Sequence, residues 1–288
     1  MTSAPKDVVR DPKGILEQDD HIRDMERTAM EVVAIGRPFA SVARVTGRVP
    51  SDRPEAWARP NVAIRIDVET PEGERPVNRI YTVRSFDAAT SLIEIDFVLH
   101  EDDSPAMRWL AKTRPGDTAS LIGPRNHFVP PCPPGRKTAI FADDTAIPAV
   151  YAILSAWPVG AEGEVWVETA TREAFDELPD IPGVSRHLLL RRADMAPGTG
   201  RLLIGAATDA LADPAGWTLW AAGERQEMKD MRSHFQAAGM ARADIQILGY
   251  WRLGTSSSDL DRIRLTVYEA IRARNLPMEA LDDADLPI

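Results

Sequence analysis

The sequence predicts an antiparallel β-barrel followed by a mainly parallel α/β unit. Between residues 41 and 122, short runs with a two-residue alternation of apolar and polar side chains are separated by Pro, Gly or polar turns. Closely spaced strands joined by short turns are typical of an antiparallel barrel. Beyond residue 130, short apolar runs alternate with helical patterns, which is typical of a parallel sheet covered by helices.

The first 36 residues are rich in charge and end at Gly36-Arg37-Pro38. We interpret residues 1–36 as a leader that carries one helix, over residues 20–35.

The predicted barrel covers residues 37–129 and contains one short helix. Proline is favoured in the first turn of a helix, and apolar residues at helical spacing follow Pro105, so the helix is expected over Pro105–Lys112. The strands of the barrel are expected at residues 41–49, 62–70, 78–86, 92–99 and 117–122.

A proline-rich run at residues 130–134 is stiff and marks a hinge before the α/β unit, which is predicted to cover residues 130–254. Residues 255–288 form a C-terminal extension, in which Ser256 to Asp259 cap a helix that runs to about residue 275. Strands of the α/β unit are expected at residues 138–142, 164–169, 184–190, 217–221 and 245–250, and helices at 146–157, 172–178, 200–212 and 226–238.

Composition excludes several classes of protein. The 34 Lys and Arg against 44 Asp and Glu give a net charge of -10, which argues against a nucleic-acid partner. The single cysteine, Cys132, rules out an intrachain disulfide and a cysteine cluster for a metal, and we assign no metal site. No apolar stretch is long enough for a membrane span, and the amino terminus lacks the apolar core of a secretion signal, so a cytoplasmic location is expected.

The predicted strand over residues 79–84 carries Tyr81, Thr82 and two arginines. On an extended chain Arg79, Tyr81 and Val83 share one face, and Thr82 and Arg84 share the other. A flavin needs an aromatic wall for its ring, polar groups for its ring nitrogens and a cation for its phosphates. The strand offers all three, although an edge strand with solvated arginines explains the same residues.

Two predicted strands of the α/β unit end in a polar or glycine-containing turn, at residues 143–149 and 222–224. In open parallel sheets, ligands bind at the carboxyl ends of the strands, so both turns are candidates for one pocket. Asp and Thr are also residue types that favour helix caps, so capping, ligand contact or both account for Asp144 in the first of these turns.

Several motifs in a fixed order resemble the siderophore-interacting, FAD-dependent ferric reductase family. A set of separate motifs in register is far more specific than one glycine pattern. The resemblance covers residues 37–254, and it implies a flavin-binding barrel followed by a nicotinamide-binding domain of ferredoxin reductase architecture. The motifs are RIYTVR at 79–84, DFVLH at 96–100, SPAMRW at 104–109, GPR at 123–125, ADDTAIPA at 142–149, WAAGE at 220–224 and GYWRLG at 249–254.

The resemblance implies an FAD site on the barrel. It places Arg84 at the FAD phosphates, Arg79, Tyr81 and Thr82 at the flavin ring and ribityl chain, and the helix start at Ser104 near the pyrophosphate, where free backbone amides favour an anion. Ser104 stands where the family usually has glycine. The residues implied to contact FAD are Arg79, Ile80, Tyr81, Thr82, Arg84, Asp96, Phe97, Val98, His100, Ser104, Pro105 and Ala106.

The resemblance also implies an NADH or NADPH site on the α/β unit. Asp144 replaces the glutamate that is usual in the family, which shortens its reach. We interpret Arg172 as a solvated helix residue rather than as a partner for a 2′-phosphate. The residues implied to contact NAD(P)H are Asp143, Asp144, Thr145, Ala146, Gly223 and Glu224.

The implied activity is the passage of electrons from NAD(P)H through FAD to a ferric siderophore, with release of Fe(II). A flavin suits this reaction because it links a two-electron donor to a one-electron acceptor. Positioning and electrostatics suffice, so no catalytic acid or base is assigned. Arg125 and Arg252 are candidates for contact with an anionic siderophore. Alternatives are an FAD and NAD(P)H oxidoreductase with another acceptor, and a non-enzymatic protein that binds flavin or siderophore.

Overall fold

The computed structural model describes residues 25–72, 76–100 and 103–273. It confirms the predicted fold class. A closed barrel of six strands precedes a five-stranded parallel sheet that is covered by helices.

The barrel is built from antiparallel neighbours in the order β1-β2-β5-β4-β3-β6, and it closes through pairing of β1 with β6. Helix α1 (Pro54–Trp57) lies between β2 and β3, and helix α2 (Pro105–Lys112) lies between β5 and β6. The strands are β1 (Glu26–Phe39), β2 (Val42–Arg48), β3 (Val62–Glu69), β4 (Val77–Asp87), β5 (Leu92–Val98) and β6 (Thr118–Asn126).

The predicted helix over residues 20–35 is wrong where the structure describes it. Strand β1 occupies that segment, and residues 20–24 lie outside the described part of the chain. Met30 and Val32 point into the barrel core, whereas Glu31 and Val33 are exposed, so the segment follows a two-residue period. The segment forms a strand because its backbone hydrogen-bonds to β2 on one side and to β6 on the other. The barrel therefore begins at Glu26 and not at residue 37.

The barrel interior is filled by the inward-facing residues of all six strands, including Ile64, Ile66, Ile93, Ile95 and Leu121. Trp57 of α1, which is fully buried, closes one side of this core. Burial of large apolar side chains stabilises the barrel because each contributes about 1.5–3 kcal/mol relative to an exposed position.

The second unit has a parallel sheet in the order β11-β10-β7-β8-β9. Helices α3 (Ile147–Ser155), α4 (Arg172–Asp176), α5 (Leu202–Ala210) and α6 (Arg225–Ala237) connect its strands. Those strands are β7 (Lys137–Ala142), β8 (Gly163–Thr169), β9 (Val184–Leu190), β10 (Trp217–Glu224) and β11 (Ile245–Trp251).

Both faces of this sheet are covered. On β7, Ile140 and Ala142 belong to the core that α3 closes, whereas Ala139 and Phe141 belong to the core on the α5 and α6 side. Strands that are buried on both faces are near-continuous apolar runs, which explains the composition of β7 and β10. Because the strands are parallel, the turns after β7, β10 and β11 lie at one edge of the sheet.

The chain continues from β11 into helix α7 (Ser257–Ala273). Leu260 of α7 is buried against the body of the protein. Among the helices that the structure describes, none combines the length and apolar character that crossing a lipid bilayer requires.

Candidate functional site

A large cleft lies between the barrel and the carboxyl edge of the parallel sheet. Its volume is about 1980 Å³, well above the roughly 300–1000 Å³ of a usual small-molecule site. The barrel wall comes from β3, β4, β5, β6 and α2, and the opposite wall comes from the ends of β7 and β11, the loop after β9, and α7. The size and the two-domain lining suit a dinucleotide together with a second ligand.

Strand β4 supplies the centre of the barrel wall, where Arg79, Ile80, Tyr81 and Thr82 line the cleft. The Tyr81 ring packs against Phe97 with centroids 4.1 Å apart, and Phe97 stacks on Trp109 at 5.4 Å. Both rings belong to the barrel core or pack against it, so they support the Tyr81 ring from the side of the core. Burial raises the pKa of the Tyr81 phenol, which keeps the group neutral.

Arg79 is a nearly buried cation in this wall. Its guanidinium donates to the Asn78 carbonyl oxygen at 2.8 Å and to Ser258 Oγ of α7 at 3.0 Å. The backbone of β4 and the start of α7 therefore orient the same guanidinium.

The start of α2 also lines the cleft, through Ser104, Pro105 and Ala106. Ser104 is the N-cap residue and has an extended backbone, but its side chain makes no capping hydrogen bond. Asp96, Val98 and the exposed His100 line the cleft beside this turn. These residues lie where the family resemblance predicts FAD contacts.

Arg84 and Phe97 are placed differently from the prediction, and neither belongs to the lining of the cleft. Phe97 is fully buried in the barrel core, where it supports Tyr81. Arg84 is 3% exposed and pairs with Asp96 and Glu177. Arg84 shares these two carboxylates with Arg44, and its contact with the FAD phosphates stays a prediction. The β4 guanidinium that faces the cleft is that of Arg79.

The turn after β7 forms the opposite wall, where Asp143, Asp144 and Thr145 line the cleft. Asp143 Oδ1 accepts from the Thr145 backbone amide at 2.9 Å and from Thr145 Oγ1 at 2.6 Å. Its Oδ2 accepts from Trp251 Nε1 at 2.7 Å. Asp143 therefore caps the turn and also anchors the indole of the last motif; its contact with a cofactor stays a prediction.

Arg191 is a functional candidate that sequence reasoning missed. It follows β9, lines the cleft and is 7% exposed. Its guanidinium donates to Asp144 Oδ2 at 2.7 Å and to Glu168 Oε1 at 3.2 Å. The only signal in the sequence was a pair of arginines directly after a predicted strand.

Ala146, Gly223 and Glu224 lie behind this wall and do not line it. Glu224 caps α6, since its carboxylate accepts from the backbone amides of Gln226 and Glu227 at 2.7 and 3.0 Å. A Cβ at Gly223 would lie 2.8 Å from Asp143 Oδ2. Close packing against Asp143 therefore explains the glycine, and its contact with NAD(P)H stays a prediction.

Tyr250 joins the two walls. Its hydroxyl donates to Asn61 Oδ1 at 3.2 Å and also hydrogen-bonds with the Thr82 side chain of β4. Asn61, a buried residue with a φ of 56°, was also missed by the sequence analysis. Left-handed asparagine in a tight turn is common, so the Pro60-Asn61 pair before β3 was the available signal.

Arg125 and Arg252 both line the cleft and both are exposed. Arg125 lies at the end of β6, and Arg252 follows β11 and forms an isolated β-bridge with Thr255. One cation thus comes from each unit.

Asp143 gives a prediction of pH dependence. Burial raises its pKa to about 6, and burial outweighs the three hydrogen bonds, which act in the opposite direction. Between about pH 4 and 6 the unfolded chain has lost this proton while the folded chain keeps it, so folding stability falls as pH rises. We expect Asp143→Asn to gain about 2–3 kcal/mol relative to the parent protein from pH 4 to pH 6.5.

Urea unfolding at both pH values measures this difference, and Asp209→Asn, at an exposed position of α5, is the control. The Asn variant loses a bond to Trp251 at every pH, so only the change with pH is diagnostic. A difference that is constant with pH would contradict the raised pKa.

Comparisons with known proteins find a family model that matches each of the two units. The family model for the siderophore-interacting FAD-binding domain matches residues 48–128, and the model for siderophore-interacting protein matches residues 136–254. A ferric acinetobactin reductase of Acinetobacter baumannii is 39% identical over 273 residues, which cover 94% of each chain.

Solved structures agree with this result. A siderophore-interacting protein from Acinetobacter baumannii, 39% identical, superposes with a TM-score of 0.81 over 87% of this chain and 100% of the other. A ferredoxin reductase of carbazole 1,9a-dioxygenase, at 17% identity and a TM-score of 0.64, covers 81% of this chain and 73% of its own and shares the fold.

Proposed function

This chain belongs to the siderophore-interacting protein family, and we propose that it is an FAD-dependent reductase that passes electrons from NAD(P)H to a ferric siderophore. One observation carries the proposal. A single cleft is lined from one side by Arg79, Tyr81 and Thr82 of the flavin-binding barrel, and from the other side by Asp143 to Thr145 at the carboxyl edge of a parallel sheet.

The barrel wall fits FAD. Tyr81 offers an aromatic face that is fixed by Phe97, Thr82 offers a hydroxyl, and Arg79 offers a guanidinium for a phosphate. The uncapped start of α2 adds backbone amides, which favour an anion. When bound, FAD accepts two electrons as hydride and returns them one at a time.

The carboxyl edge of the parallel sheet is the side that receives nucleotides in open α/β sheets. We therefore assign NADH or NADPH to the wall formed by Asp143, Asp144, Thr145 and Arg191. The flavin unit is proposed to run from Glu26 to about residue 129, and the nicotinamide unit from 130 to 254. Reduced nicotinamide nucleotides are cytoplasmic reductants, so we propose the cytoplasm as the site of the reaction.

The proposed acceptor is an anionic ferric siderophore. Two exposed guanidiniums, Arg125 and Arg252, line the cleft and offer charge-assisted hydrogen bonds to carboxylate or catecholate oxygens. A local positive pair is needed because the net charge of -10 opposes the approach of an anion.

The test uses purified protein loaded with FAD under anaerobic conditions. Addition of NADH or NADPH is expected to bleach the visible flavin absorbance. Subsequent addition of an Fe(III)–catecholate complex with a ferrous chelator is expected to restore the absorbance and to form the coloured ferrous complex.

The outcomes separate the alternatives. A protein that remains yellow with both nucleotides contradicts the assignment of NAD(P)H as donor. Bleaching without any ferrous complex, tested with catecholate, hydroxamate and carboxylate complexes of Fe(III), points to a different acceptor. Failure to take up FAD rejects the whole proposal.

A further inference from the structure

A partly buried ion network joins the barrel to the α/β unit. Arg44 of β2 makes a bidentate pair with Asp96 at 2.6 and 2.9 Å, and it donates to Glu177 at 3.3 and 2.7 Å. Arg84 of β4 donates to Glu177 at 3.1 Å and lies 3.6 Å from Asp96. Three of these side chains belong to the barrel, and Glu177, directly after α4, belongs to the α/β unit.

Arg84 is the centre of this contact. Its side chain is 4% exposed, and its Nε and Nη1 atoms are buried without a hydrogen-bond partner. Its guanidinium carbon lies 3.6 Å from the centroid of the Tyr151 ring of α3. A buried cation with few hydrogen bonds depends on charge and on the aromatic face for its stabilisation. Two of its partners, Glu177 and Tyr151, come from the α/β unit.

The balance of charge in the network depends on that unit. The two guanidiniums of Arg44 and Arg84 face the two carboxylates of Asp96 and Glu177. Without Glu177, the buried Arg84 and the partly buried Arg44 would share one carboxylate, which is costly in a contact of low dielectric constant. The positive charges of Arg44 and Arg84 are therefore fully balanced only when Glu177, directly after α4, lies in its present place.

The network also touches the cleft directly. Arg84 lies on the same strand as Tyr81 and Thr82, two positions beyond Thr82. Asp96, which Arg44 holds, lines the cleft itself. A shift of the α/β unit against Arg84 would thus move one wall of the cleft relative to the other.

We infer that Glu177 and Tyr151 are positioning residues that align the nicotinamide unit against strand β4 for hydride transfer. The inference rests on the proposed function, because hydride transfer needs reacting atoms about 3–3.5 Å apart, and a displacement of about 1 Å can cost on the order of 100-fold in rate. Electron delivery from the flavin to the ferric complex involves no hydride transfer between two such atoms, so it depends less on this alignment, and the α/β unit enters it through Arg252 at the cleft.

The first test measures the contact without any cofactor. Glu177→Gln keeps the shape of the side chain but removes its charge, and Glu173→Gln changes an exposed residue of α4 outside the network. Hydrogen exchange followed by mass spectrometry is expected to be several-fold faster in Glu177→Gln for peptides over β4 and α3, and unchanged for β6. Equal exchange in both variants would overturn the inference.

The second test separates the two half-reactions. In FAD-loaded Glu177→Gln, flavin reduction by NADH or NADPH in rapid mixing is expected to be at least about 10-fold slower than in Glu173→Gln. After photochemical reduction of the flavin, transfer to an Fe(III)–catecholate complex is expected to slow by less than about 3-fold, because this step involves no hydride transfer. Equal slowing of both steps, or of neither, would overturn the inference.

A second pair of variants guards against a simple folding defect. Tyr151→Leu removes the ring face beside Arg84, whereas Tyr151→Phe keeps it. We expect Tyr151→Leu to slow flavin reduction and Tyr151→Phe to reduce the flavin at the parent rate. Identical rates in the two variants would count against the inference. If the parent protein oxidises neither nucleotide, the proposed donor is wrong, and the exchange experiment still decides whether Glu177 aligns the two units.

Discussion

Replacement of Arg79 by glutamine is expected to weaken FAD binding about 10- to 100-fold. Arg79 is the guanidinium of β4 that lines the cleft, and Asn78 and Ser258 orient it. Hydrogen bonds between a guanidinium and a phosphate are charge-assisted, and the loss of one costs about 1.5–3 kcal/mol. Titration of the apoprotein with FAD, followed by quenching of flavin fluorescence, measures the change.

The matched control is Arg48→Gln, which removes the same charge from an exposed position of β2 outside the cleft. Comparison of the two variants corrects for the change in net charge. Equal FAD affinity of the Arg79 and Arg48 variants would contradict the assignment of the phosphates to Arg79. It would instead favour Arg84, the residue that the family resemblance implies for the phosphates.

Replacement of Trp220 by alanine is expected to lower the free energy of unfolding by about 3–5 kcal/mol. Trp220 lies on β10 between β7 and β11 and is fully buried in the core that α3 closes. Its Nε1 atom donates to the Phe128 carbonyl oxygen at 2.9 Å, so the same side chain ties the α/β core to the segment after β6 that lines the cleft.

Trp220→Phe separates the two contributions because it keeps most of the packing and loses the hydrogen bond. We expect a loss of about 1 kcal/mol, since the Phe128 carbonyl still accepts from Asn61 Nδ2. Trp217→Phe, on the same strand but only partly buried, is the control. Urea unfolding followed by circular dichroism provides the values. A change below about 1 kcal/mol in Trp220→Ala would contradict the packing described above.

Most of the fold could be predicted from local patterns in the sequence. The two-residue periods of β2 to β6 and the helical periods of the α/β unit are visible in the chain because each strand or helix buries one face, or both faces, against a core. The sequence of strand β1 suggested a helix because its inward period is short, with only Met30 and Val32 fully buried. Its pairing with β6, about 90 residues away in the chain, has no local signature.

The candidate site was predictable in outline, since the motifs at β4, at the start of α2 and after β7 do line one cleft. The roles of the individual residues in the site were less predictable. Arg79 and Arg84 are both arginines on one strand, and only the structure shows that Arg84 pairs with Asp96 and with Glu177, which lies on a distant turn. For Gly223, only the structure shows that the Asp143 carboxylate packs closely against it.

The sequence by itself determined the class of fold, the order of the two units and the family, because periodicity and motif spacing are properties of the chain. The tertiary structure alone decided which cations face the cleft, which glycine is required by packing and which residues join the two units. The physical reason is that charge compensation and close packing depend on side chains that are far apart in sequence. Glu177 meets Arg44 across 133 positions and Trp251 meets Asp143 across 108, and no local pattern encodes such pairs.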